Sequence, residues 1–94
     1  MYTLNVTKYP DIGGALNIET ERKQNILEHL YNDCVDAETK VKVVIYEVFQ
    51  DVIEKGLNSR NNIVLIFNSD IEPLILKEIE KQFDMWDIIV EVIE

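Results

Sequence analysis

The sequence predicts an α+β fold: a single domain over residues 1–94, built as a two-layer sandwich in the order β-α-α-β-α-β, with three helices on one face of a three-stranded sheet. Three observations carry this prediction. Tyr2, Leu4 and Val6 alternate with Thr3, Asn5 and Thr7, the period of a strand with one buried face. The unbroken run Ile63-Val64-Leu65-Ile66-Phe67 has the character of a central strand buried on both faces. Between and after them, apolar residues recur at the three- and four-residue steps of helices.

The first strand ends in Pro10-Asp11-Ile12-Gly13-Gly14, a loop signal. From Ile18 or Thr20, a first helix is expected to turn Ile26, Leu27, Leu30, Tyr31 and Cys34 toward the core, with Asn32-Asp33 as its exit. The segment Val41 to Ile53, VKVVIYEVFQDVI, is the decisive one. Its many β-branched residues favour a strand, and if it were one the chain would be a ferredoxin-like βαββαβ domain. Yet Val41, Val44, Ile45, Val48, Phe49, Val52, Ile53 and Leu57 trace one helical stripe, while the strand reading leaves both faces mixed. β-Branching lowers helix propensity by only tenths of a kcal/mol per residue, against roughly 1.5–3 kcal/mol for each large side chain buried. A helix from Asp36 to Lys55 is therefore expected, capped by Asp36, favoured by Glu38 in its first turn, and ended at Lys55-Gly56.

Leu57 to Asn62 reads as a polar connection into the central strand. Ser69-Asp70 offers a cap for a third helix, Pro73 suits its first turn, and Ile75, Leu76, Ile79, Phe83 and Trp86 form its inner stripe. Asp87 to Ile93 closes the sheet. If Ile63, Leu65 and Phe67 face the helices, Val64 and Ile66 face away, joined by Thr3, Asn5 and Thr7 and by either Ile88, Val90 and Val92 or Ile89 and Ile93. Such an apolar, polar-rimmed face suits a second copy or a partner, a homodimer pairing through Val64, Ile66, Ile89 and Ile93; the alternative is that the Gly13-Gly14 loop or a helix folds across it.

Eighteen acids against nine bases give a net charge of −9. Eight of the acids and two lysines fall between Asp70 and Glu94, so that stretch alone carries −6. This balance disfavours direct binding to nucleic acid or anionic membrane, which is made by clustered Lys and Arg. No apolar run is long enough to span a membrane, and the opening MYTLNVTKYP has no secretory pattern. The single cysteine, Cys34, excludes an internal disulfide and fits a reducing, cytoplasmic setting. The usage rich in Ile, Asn, Lys and Glu suits an AT-rich genome, bacterial or phage.

No catalytic constellation emerges, and an enzyme is not expected. His29 and Cys34 lie five residues apart, about 140° around a helix, so they do not pair. One His and one Cys make no zinc site, and Asp33, Asp36 and Glu38 lack the spacing of a calcium loop. Gly13-Gly14 is no phosphate loop, so no cofactor and no metal is expected. Glu80 and Asp84 are four apart, but Lys77 and Lys81 beside them point to a solvated face.

The element order from Asp36 to Glu94 (capped helix ending at Lys55-Gly56, strand, Ser69-Asp70, helix, hydrophobic strand) resembles the C-terminal domain of the ribosomal stalk protein and the related Clp protease adaptor. The resemblance implies the fold. It implies no site, because Lys8-Tyr9-Pro10-Asp11 stands where the adaptor has an acidic pair, Val44, Val48 and Phe49 lack its polar pocket residue, and these helices are acidic where the stalk's surface bears lysine.

Two functions of different classes follow as expectations. One is an acidic inhibitor, immunity or adaptor protein that meets a basic protein, such as one that binds nucleic acid, through Glu72, Glu78, Glu80, Asp84 and Asp87. The other is a structural or assembly module that pairs through its open sheet face, its acidity serving solubility alone.

Overall fold

The structure, a computed structural model, describes residues 2–8, 18–56 and 63–93. In chain order these form β1 (Tyr2–Val6), α1 (Ile18–Leu30), α2 (Ala37–Glu54), β2 (Ile63–Asn68), α3 (Pro73–Asp84) and β3 (Ile88–Ile93). The predicted loop at 10–14 and connection at 57–62 lie outside the described residues.

The sheet runs β1-β2-β3 and is parallel throughout, Leu4 beside Leu65 and Leu65 beside Val90. Strand direction was not legible in the sequence. Both crossovers advance the same way across the sheet, so the usual right hand places every helix on one face. The core agrees: Leu4, Val6, Ile63, Leu65, Phe67 and Ile88 cluster with Ile26, Leu30, Val44, Val48, Ile75, Ile79 and Phe83. The other face carries Thr3, Asn5, Val64, Ile66, Ile89, Glu91 and Ile93 by register.

The Val41–Ile53 stretch is helical, which removes the ferredoxin-like alternative. Asp36 caps α2 by accepting a hydrogen bond from the Thr39 amide at 2.6 Å, which holds its carboxyl below the usual range. At the far end Gly56 adopts φ 63° and donates its N–H to the Ile53 carbonyl, so the helix stops at the expected residue.

Four expectations need correction. Cys34 is exposed, because α1 ends at Leu30 and Cys34 falls in the following turn, where its N–H bonds the Asn32 side chain. Asp70 does not cap α3; the helix begins at Pro73 with Glu72 at the cap position and no side-chain cap bond. Trp86 lies beyond the last residue of α3 and stays 43% exposed, meeting Phe49 edge-on at 5.1 Å. Ile53, placed on the inner stripe by spacing, is exposed, whereas Glu47 and Asp51 on the supposed outer side are buried. The last correction has a single cause: α2 is packed against α1 as well as against the sheet, so a second flank of it is covered.

Candidate functional site

Burial of Glu47 and Asp51 is made possible by one residue the sequence reading passed over. Arg22 in α1 is 8% exposed and faces three carboxylates of α2: Glu47 and Asp51, each at 3.4 Å, and Glu54. Its hydrogen bond to Glu54, reinforced by the neighbouring negative charges, holds the guanidinium pKa above its ordinary value despite burial. Asn25 donates to Glu47 at 2.6 Å. Asp51 also accepts from the Tyr2 hydroxyl, and Lys55 reaches that hydroxyl at 2.6 Å. The signal was present in the sequence. Arg22 sits four residues before Ile26, on the inner stripe of α1, and Glu47, Asp51 and Glu54 recur at helical steps opposite it. The cleft above these residues holds about 610 Å³, but one guanidinium facing three carboxylates leaves the site net negative, which disfavours an anionic ligand.

A second ion pair fixes α3. Lys40, 4% exposed, bonds Glu72 at 2.9 Å and ties the N-terminal end of α3 to that of α2. With Phe49 meeting Phe83 at 6.0 Å further along, the two helices run in the same direction. Between their N-terminal halves lies a groove of about 500 Å³, walled by Val41 and Ile45 on one side and Leu74 and Ile75 on the other.

The five acids expected to form one surface are divided by the geometry. Glu72 is engaged with Lys40. Glu78 is half-buried at the groove, where it accepts from the Gln82 amide at 3.2 Å. Glu80 is about 200° around the helix from Glu78 and shares the exposed flank of Asp84 and Lys77. Asp87 stands apart in the turn into β3, with φ 55°. The four apolar residues expected on the open face do share it. Val64 is buried, Ile66 half-buried, and Ile89 and Ile93 are 44% and 41% exposed.

A corner of different character lies at the carboxyl ends of β1 and β2. Lys8 pairs with Asp70 at 3.4 Å and rests over the Tyr31 ring, 5.4 Å from its centre. The Tyr31 hydroxyl is buried beside Asp70 and the Asn68 backbone. Burial first, and the charge of Asp70 second, push its pKa up to about 12. Among the described residues no group of three or more His, Cys, Asp or Glu is placed to hold a metal ion, and no helix is long and apolar enough to cross a membrane. His29 is turned to its own helix, its Nδ1 lying 2.8 Å from the Asn25 carbonyl.

No family model, no curated protein and no solved structure matches this chain.

Proposed function

We propose that this protein is a non-enzymatic binding module of inhibitor or adaptor type, engaging a basic protein partner through its helical layer. The balance of buried charge carries this reading. Among the described residues the buried ions are two bases, Arg22 and Lys40, and two acids, Glu47 and Asp51. They cancel, so the excess of acid belongs to the surface, where it steers a cationic partner and rejects polyanions. The test is affinity capture from nuclease-treated lysate with the wild-type protein and with Glu78, Glu80 and Asp84 all changed to lysine. A stoichiometric basic protein that leaves at high salt and is lost with the variant supports the reading. A partner held equally at high salt, or by the variant, sinks it.

A second reading rests on the exposure of Ile89 and Ile93 on the sheet face turned away from the helices. Here the chain pairs with itself, and Ile89→Lys with Ile93→Lys converts a dimer to a monomer in sedimentation equilibrium. A wild-type monomer at all concentrations ends that reading.

A further inference from the structure

We propose that the groove between α2 and α3 is a docking site for a short amphipathic segment of a partner protein, which seats a bulky apolar side chain between Ile45 and Leu74 and presents a neighbouring Lys or Arg to Glu78. This inference rests on the binding-module reading above and names where and what that module binds.

The groove has the composition of a recognition site. Its walls are aliphatic, its volume of about 500 Å³ falls in the range of specific pockets, and its rim is polar. Leu74 stands at its edge 82% exposed, although on the same helix Ile75 and Ile79 are buried and Leu76 is partly buried against the core. Two parallel helices with such a furrow between them match the mode in which an amphipathic helix lays its apolar side into a groove.

The charge at the rim selects the occupant. Glu38 and Lys42 satisfy each other at 2.9 Å and leave no net charge. Among the described residues Glu78 forms no ion pair of this kind; one of its oxygens accepts from the neutral Gln82 amide. A half-buried carboxylate beside an apolar furrow favours a ligand that carries its own cation next to an apolar group. The same carboxylate and the overall charge of −9 oppose a fatty acid or another apolar anion. Glu80 and Asp84 lie on the other flank with Lys77 and take no part, whereas Lys81, about 60° around the helix from Glu78, stands between the two flanks.

The experiment is selection of a random 12-residue peptide display library against the whole protein, followed by affinities of the selected peptides for Glu78→Gln, Leu74→Ala and the double variant Glu80→Gln/Asp84→Gln. Enriched peptides are expected to pair a bulky apolar residue with Lys or Arg. They should lose about tenfold in affinity with Glu78→Gln, the size of one charge-assisted contact, and weaken with Leu74→Ala while ignoring the double variant. Amide chemical shifts should move at Val41, Ile45, Leu74 and Glu78. Peptides that respond to the double variant but not to Glu78→Gln overturn the groove and leave the acidic-surface reading standing. Peptides lacking a cation and indifferent to Glu78→Gln overturn the proposed chemistry, and failure to enrich any sequence overturns both.

Discussion

Arg22 is the residue on which the packing of α1 against α2 turns. Two buried carboxylates one turn apart on the same flank of α2 are tolerable only while a cation faces them, because an unpaired charge in the interior is costly. Arg22→Ala should therefore lower stability by about 3–5 kcal/mol in urea unfolding, far beyond the loss of its contact area. A cost under about 1 kcal/mol would mean that water reaches Glu47 and Asp51. Tyr31 gives a prediction at alkaline pH. Its folded-state pKa of about 12 lies above the unfolded value of 10.0, so the neutral phenol is the form that folding favours. The associated stability is fully present below pH 10 and drains away between there and about pH 12. Tyr31→Phe should flatten the alkaline limb of a stability–pH curve; an unchanged limb would assign that limb to other groups. At this scale the sequence was least legible. Periodicity identifies which side of a helix is apolar, but not that Arg22 will be met by carboxylates from another helix, nor that Asp70 loses its capping role to the start imposed by Pro73.

At the scale of elements, the sequence was legible wherever local chemistry and burial agreed. The stripe from Val41 to Phe49 outweighs β-branched propensity, Asp36 caps, and Gly56 terminates, so α2 follows its pattern closely. The exit of α2 can be tested on its own. A methyl group added at Gly56 meets nothing within 4 Å among the described residues, so the cost of Gly56→Ala expected there is conformational, arising from φ 63°. The substitution should destabilise by about 1–2 kcal/mol, and Gly56→Asn by less, since Asn tolerates the left-handed region. Equal stability of all three proteins would show that the helix exit relaxes to another conformation. Elements whose flanks meet two neighbours were misread in part. Ile53 falls on the inner stripe by spacing yet is exposed, and Glu47 on the polar side is buried, because a stripe reports one partner surface whereas α2 meets α1, α3 and the sheet.

The whole molecule is defined by a parallel sheet with one covered face and by a surface that holds the acid excess. Like charges gathered on a small surface repel, and that repulsion opposes folding until salt screens it. The thermal midpoint should therefore rise between about 10 mM and 150 mM sodium chloride, as the screening length shrinks from about 30 Å to 8 Å. A fall over that interval would show that ion pairs such as Lys8–Asp70 outweigh the repulsion. The parallel direction of the strands could not be read from the linear pattern, since it depends on how elements return to one another, whereas the separation of Glu78 from Glu80 follows from their spacing on one helix. That return also sets an order in time. Among the described strands β1 pairs with β2, from Tyr2 beside Ile63 to Val6 beside Phe67, so during synthesis the first strand must wait for roughly sixty residues before that partner exists. The α1–α2 hairpin, joined by a short turn and by Arg22, can close in that interval, while the waiting strand stays bare. Its alternate residues Thr3 and Asn5 break the apolar run that would otherwise make a nascent strand a template for other chains.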